Sequence, residues 1–209
     1  MKQIELPSNI AIINKENFSL YLPNITQNTF NQNIKNWLKV KKIIALKKGT
    51  YIFKDFLEKE ENKLAYLEFL ANKIYQPSYL SREYVLAKYN ILSESVFAFT
   101  SVSLKSSREF RNDIGLFLYS KIKKSLFCGF ETLEYKNNFI QIATKAKALF
   151  DYLYFYKRKI KQVDKKQIDL LRLNLEEVKN RDWQEFEKYL EISKSKKLRK
   201  IFKYLLKAC

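Results

Sequence analysis

The sequence predicts an α+β chain in which an N-terminal winged helix-turn-helix is followed by a helix-flanked, mostly antiparallel sheet and a helical C-terminal region. Three observations predict this fold class. The first 56 residues give helix, turn, helix and hairpin in that order. From about residue 95 to residue 143, short apolar runs alternate with turn residues, as in strands. From residue 144 onward, apolar residues recur at helical spacing.

The N-terminal segment carries each element of a helix-turn-helix. The segment Asn17–Leu22 is predicted to be a short helix, since it carries apolar residues at 18, 20 and 22 and ends before a proline. Thr26 offers a hydroxyl group to cap the next helix. The apolar stripe of that helix follows the spacing i, i+4, i+7, i+8, at Phe30, Ile34, Trp37 and Leu38. Two β-rich runs, residues 43–46 and 50–53, flank a turn that ends in Gly49, which predicts a hairpin.

The other side of the second helix carries amides and lysines. Amide side chains pair bidentately with adenine in the major groove, and lysines neutralise phosphates. The residues expected to face bases are Asn28, Thr29, Asn31, Gln32 and Asn36. The residues expected to contact phosphates are Lys35, Lys39, Lys41, Lys42, Lys47 and Lys48. A polar helix face is also what plain solvation produces, but residues 17–54 contain seven lysines and no acid, which favours an anionic partner.

A domain boundary is predicted within the charged stretch at residues 55–61, where the composition changes from basic to mixed. Two helices precede the sheet, and Ser81 is expected to cap the second of them. About four or five strands follow, with hairpin tips at Asn112-Asp113 and at Lys136-Asn137-Asn138. Thr144 is expected to cap the next helix, and Asp151 on that helix is expected to bond a neighbouring turn or lysine.

The net charge is large and unevenly distributed. The chain has 40 lysines and arginines against 22 acids, a formal net charge of +18. Residues 1–56 hold nine bases and three acids, residues 57–155 hold fourteen and eleven, and residues 156–209 hold seventeen and eight. This excess indicates an anionic partner, although the Lys, Asn and Ile bias of an AT-rich genome would also raise the lysine content.

Several kinds of chemistry are excluded by what the sequence lacks. It has no histidine, which removes Ser-His and Cys-His nucleophile pairs and zinc sites that use imidazole. Three glycines are too few for the phosphate-binding loops of nucleotide enzymes. No apolar run approaches the roughly 20 residues of a membrane span. We therefore expect a cytoplasmic protein with no catalytic activity, no metal and no cofactor, and with its two cysteines reduced.

Two other functions are open on the sequence alone. A magnesium-dependent nuclease of the restriction-endonuclease type would need an Asp and a Glu-x-Lys strand, which Asp113, Glu134 and Lys136 could supply. Four acid-x-Lys matches occur, at Glu61, Glu134, Asp164 and Glu177, about as many as chance predicts from this composition. The basic, amphipathic last helix could instead lie on a membrane surface or on an acidic protein.

Five segments in sequence order resemble the AbiEi-type antitoxins, which are transcriptional regulators of type IV toxin–antitoxin systems linked to abortive phage infection. Residues 44–51 are similar to the wing of that family, and residues 70–81 to the segment that enters its second domain. Residues 99–102, the strand at Gly115 and residues 142–151 also fit, in the same order. In the last segment, Lys145-Ala146 stands where the family commonly has Pro-Glu. The resemblance covers roughly residues 25–154.

The resemblance implies two domains with separate tasks. Residues 1–56 would form a winged helix that binds double-stranded operator DNA and represses its own operon. Residues 57–209, with the sheet at about 95–143 and a helical tail at 144–209, would counteract a nucleotidyltransferase toxin, with or without direct contact. A stand-alone transcriptional regulator of the same build is the alternative.

Overall fold

The computed structural model describes residues 11–14 and 16–208, and it has a mixed α+β fold with two open sheets. The N-terminal unit contains, in chain order, β1 (Ile13–Asn14), α1 (Phe18–Tyr21), α2 (Gln27–Lys39), β2 (Ile43–Lys47) and β3 (Thr50–Phe53). Both predicted helices and the predicted hairpin β2–β3 are therefore confirmed. The three strands form an antiparallel sheet with the order β1-β3-β2.

The N-terminal unit has a small core of its own. Phe18 from α1 stacks on Phe30 from α2, with ring centroids 4.3 Å apart. The remaining buried apolar residues of this cluster are Ile13, Leu22, Ile34, Ile43 and Phe53. Thr26 caps α2 as predicted, because its side chain accepts a hydrogen bond from the Thr29 amide. The cap and the core fix α2 on the sheet, with its polar side outward.

The rest of the chain forms one larger unit around a six-stranded sheet. Its elements are, in chain order, α3 (Lys54–Lys59), α4 (Lys63–Ile74), β4 (Ser78–Leu80), α5 (Glu83–Lys88), β5 (Ala98–Ser103), β6 (Arg108–Asn112), β7 (Gly115–Lys121), β8 (Phe130–Tyr135), β9 (Asn138–Ala143), α6 (Lys145–Tyr156), α7 (Lys165–Asp169), α8 (Asn180–Ser193) and α9 (Lys196–Ala208). Helix α4 packs on the strands, and α6 packs between β9 and α8.

The large sheet is more mixed than the sequence predicts. Its strand order is β6-β7-β5-β4-β9-β8. The pairs β6–β7, β4–β5 and β8–β9 are antiparallel, whereas β5–β7 and β4–β9 are parallel. The two predicted hairpins are confirmed as β6–β7 and β8–β9. The prediction of four or five strands missed β4, since three residues are too few to show a period of two.

The two units are packed against each other through the hairpin. Leu46 and Ile52, on β2 and β3, are buried in the core of the larger unit rather than in the small core. The side-chain amide of Asn112 donates a 3.0 Å hydrogen bond to the carbonyl oxygen of Leu46. Phe56 on α3 contacts both cores. The hairpin is therefore packed against both units.

A buried ion pair lies between the large sheet and α6. Lys147 and Asp151 are both fully buried and form a salt bridge one helical turn apart. Asp151 also accepts hydrogen bonds from the Tyr79 hydroxyl at 2.9 Å and from the Ser81 hydroxyl at 2.8 Å. Complete burial raises the pKa of the Asp151 carboxyl, and Lys147 and the two hydroxyl donors oppose that rise. The sequence left a neighbouring turn or a lysine as the partner of Asp151, and the structure shows the lysine.

The same cluster corrects one predicted cap and confirms another. Ser81 does not cap α5, because the N-cap residue is Arg82 and the Ser81 hydroxyl is used by Asp151. Thr144 caps α6 as predicted, accepting a 3.1 Å hydrogen bond from the Lys147 amide. Gly129 has a φ of +74°, and a Cβ atom there would lie 2.0 Å from the Tyr189 hydroxyl oxygen. Only glycine fits this close approach.

Candidate nucleic-acid interface

Three of the five predicted base-facing residues form one exposed stripe on α2. Asn28, Gln32 and Asn36 are exposed and lie four residues apart, so their side chains follow one another along the same side of the helix. Eight residues of helix span about 12 Å, or three to four base-pair steps of about 3.4 Å. We call these three residues the reading stripe. Its length and its amide groups match what direct readout of a short DNA segment requires.

The other two predicted base-facing residues are less available. The Thr29 hydroxyl lies 3.0 Å from that of Thr26, within the cap of α2. Asn31 is half-buried, and its side-chain oxygen accepts a 3.1 Å hydrogen bond from the Gln27 amide group. Both side chains would have to give up an existing contact to meet a base.

The predicted phosphate-contact lysines on α2 lie on the same side of the helix as the reading stripe, and the remaining ones continue to the hairpin. Lys35 and Lys39 are exposed on α2, and Lys41 and Lys42 are exposed in the turn that leads to β2. Lys48 is exposed in the hairpin turn, whereas Lys47 is half-buried. Within the part of the chain that the structure describes, none of these six lysines forms an ion pair.

Two lysines that the sequence did not predict lie beside the hairpin. Lys73, near the end of α4, and Lys105, just after β5, line a cleft of about 450 Å³ together with Lys47 and Lys48. We call this space the hairpin cleft. Burial, and then the charge of Lys105, lower the pKa of Lys47, and Glu16 opposes both effects. Because these lysines come from segments far apart in sequence, no local pattern could have grouped them.

The three residues of the nuclease alternative are not brought together. Asp113 lies in the turn between β6 and β7, at one edge of the large sheet, and Glu134 lies in β8, at the other edge. Lys136 instead forms a 2.7 Å ion pair with the buried carboxylate of Glu60. Among residues 11–14 and 16–208, no group of three or more acidic or cysteine side chains is placed to hold a metal ion.

The amphipathic last helix uses its apolar side within the fold. Leu198, Ile201, Phe202 and Leu205 on α9 are buried, and Phe202 stacks on Phe186 of α8 with ring centroids 5.2 Å apart. That side is therefore not available to a membrane surface, and the exposed side of α9 is basic. None of the helices in the described part of the chain combines the length and the apolar character needed to span a bilayer.

Comparison with known proteins does not identify a family. The chain matches no protein-family model and no curated protein sequence. The similarity to AbiEi-type antitoxins accordingly remains a prediction from the five segments named above. The geometry of α2 and of the hairpin is the independent observation that bears on function.

Proposed function

We propose that this protein is a DNA-binding antitoxin and autorepressor of a type IV toxin–antitoxin operon. The observation that carries the DNA-binding part is the outer side of α2, which combines the reading stripe with unpaired lysines on a helix fixed by its cap and core. Amides and lysines without any acid are the side chains that base edges and phosphates favour. The proposed activity needs neither catalysis nor a cofactor.

The chain order of the N-terminal unit supports a winged helix-turn-helix. A short helix precedes α2, and the hairpin β2–β3 follows it, as in modules that place the second helix in the major groove. Strand β1 closes the small sheet on the far side of β3. A first helix of such a module would have to precede Asn14, and residues 1–10 lie outside the described residues.

In the proposed complex, α2 enters the major groove with the reading stripe against base edges. Lys35 and Lys39, which lie one turn apart on the same side of α2, then contact backbone phosphates of the groove, and Lys41 and Lys42 reach the backbone at the end of the helix. The hairpin contacts the neighbouring backbone through Lys47 and Lys48. Phosphate contacts position the protein, and the reading stripe supplies the choice of sequence.

The first prediction is the salt dependence of DNA binding. If about five phosphates are neutralised, the slope of log affinity against log salt concentration should be about −4 to −5. The measurement is fluorescence anisotropy of the full chain on a duplex from the region upstream of its own reading frame. A slope near zero would contradict the proposed DNA binding through phosphate contacts.

A pair of variants locates the phosphate contacts on α2. Lys35→Ala with Lys39→Ala should flatten the slope by up to about 2, because each lost contact removes about 0.9. Alanine favours helix at both positions, so α2 remains formed. Lys165→Ala with Lys166→Ala removes the same charge from exposed positions on α7 and should leave the slope almost unchanged.

The second prediction concerns the antitoxin part, which rests on the family resemblance. Co-expression of the full chain with the nucleotidyltransferase encoded beside it should restore growth. The variant Asn28→Ala, Gln32→Ala, Asn36→Ala should restore growth equally well, since the larger unit carries that task. The hairpin is packed into the core of the larger unit, so point variants of the whole chain are the appropriate comparison.

Two outcomes of the growth test would change the proposal. Failure of the full chain to restore growth, combined with specific DNA binding, would favour a stand-alone transcriptional regulator. Loss of rescue in the α2 variant, with the protein still folded, would show that toxin neutralisation depends on DNA binding and that the two tasks are not separate.

A further inference from the structure

The hairpin cleft brings together four lysines from two units of the fold. Lys47 and Lys48 belong to the hairpin of the N-terminal unit, and Lys73 and Lys105 belong to the larger unit. Within the described residues none of the four forms an ion pair with a carboxylate. Glu16 is the acid that lines the cleft, so four ammonium groups face one carboxylate.

This charge imbalance is held in place by contacts outside the cleft. The Lys73 ammonium group lies 5.3 Å from the ring centre of Phe69, and that of Lys105 lies 5.6 Å from the ring centre of Tyr75. The Tyr75 hydroxyl in turn donates a 3.0 Å hydrogen bond to the Ser106 carbonyl oxygen. In both contacts the ammonium group itself lies near the ring, which restricts the lysine side chain, and the N–H groups that point away from the ring can still donate hydrogen bonds to a ligand.

The electrostatics of the cleft favour an anion. Like charges held close together repel each other, and burial of Lys47 strengthens that repulsion because less water screens it. A bound anion removes the repulsion and gains four attractive contacts. The amide side chains of Asn14 and Gln76, which also line the cleft, can donate hydrogen bonds to anionic oxygen atoms. A phosphate group, with charge and several acceptor oxygens, fits this set of donors.

We infer that the hairpin cleft binds a phosphate of the nucleic-acid backbone, so that Lys73 and Lys105 of the larger unit contact the same DNA strand as the hairpin. This inference rests on the proposed DNA binding and deepens it. Binding through the cleft engages both units at once on a preformed surface, which limits the entropic cost of binding. Because phosphates are the same at every position, the cleft contributes affinity and no choice of sequence.

The test compares three variants of the full chain by anisotropy on cognate and scrambled duplexes. Lys73→Ala with Lys105→Ala should flatten the salt slope by about 1 to 2 and lower the affinity for both duplexes by the same factor. Lys63→Ala with Lys188→Ala is the matched control, since Lys63 lies on α4 about 15 Å before Lys73. Glu16→Gln should bind both duplexes more tightly, an effect that a folding defect cannot produce.

The outcomes separate this inference from the proposed function. An unchanged slope in the Lys73, Lys105 variant, or weaker binding by Glu16→Gln, would overturn the inference while wild-type DNA binding stands. Absence of binding by the wild type would instead refute the proposed function. Inorganic phosphate is titrated at constant ionic strength as the last arm. Stoichiometric phosphate binding that the Lys73, Lys105 variant loses would make the cleft a site for a free anion and overturn the assignment to the backbone.

Discussion

Replacing Lys147 with methionine is expected to lower the free energy of unfolding by about 3–5 kcal/mol, because the Asp151 carboxylate is left buried without its counter-charge. That loss is a large share of the roughly 5–15 kcal/mol by which proteins are stable. Both side chains are 0% exposed, so water cannot take the place of either partner. Urea unfolding at neutral pH, followed by circular dichroism, measures the effect.

The pH dependence of this variant gives a second signature. Without Lys147, burial raises the pKa of Asp151 with one less opposing charge, so the folded state retains a proton that the unfolded state has lost. Stability of the variant should therefore fall as the pH rises from the unfolded-state pKa through the folded-state pKa. The difference in the free energy of unfolding between the wild type and the variant should therefore be smaller in acid than at neutral pH.

A double-mutant cycle measures the interaction energy between Lys147 and Asp151. Asp151→Asn keeps an acceptor oxygen for Tyr79 and Ser81 but leaves the Lys147 ammonium group buried. The double variant carries no buried charge at these two positions and should be more stable than either single variant. Lys188→Met, at an exposed position on α8, is the control and should stay within about 0.5 kcal/mol of the wild type. A Lys147→Met variant as stable as this control would contradict the buried pair.

Local features of the fold were predictable because their causes are local. Thr26 and Thr144 cap helices through a hydroxyl and an amide three residues apart, a spacing visible in the sequence. The turn at Lys136-Asn137 has positive φ at both residues, which asparagine tolerates better than most side chains. The reading stripe follows in the same way from helical spacing on a helix whose apolar side is known.

Features made by distant segments were not predictable from one sequence. Parallel pairing of β5 with β7, and of β4 with β9, depends on which strands meet across the sheet, and periodicity does not encode this. Nothing in the sequence distinguishes Lys147 from the many other lysines of this basic chain. The hydroxyl groups that donate to its partner Asp151 belong to residues about 70 positions earlier in the sequence. The hairpin cleft was missed because its lysines meet only after the hairpin packs on the larger unit.

Removing the reading stripe is expected to abolish the preference for the operator. Each bidentate amide–adenine contact is worth about 1–3 kcal/mol of discrimination, or roughly 5-fold to 150-fold. In the variant Asn28→Ala, Gln32→Ala, Asn36→Ala, operator and scrambled duplexes should therefore bind with nearly equal affinity. Competition anisotropy at one fixed salt concentration measures the ratio of the two affinities.

The lysines give this prediction its internal control. Since they remain in the variant, its affinity for scrambled DNA and its salt slope should match the wild type. Alanine raises helix propensity at all three positions, so loss of preference cannot come from a melted α2. Asn180→Ala with Gln162→Ala and Gln184→Ala removes three exposed amides from the larger unit and should keep the preference. Retained discrimination in the α2 variant would show that bases are read elsewhere, whereas equal loss of affinity for both duplexes would place the three amides on phosphates rather than on bases.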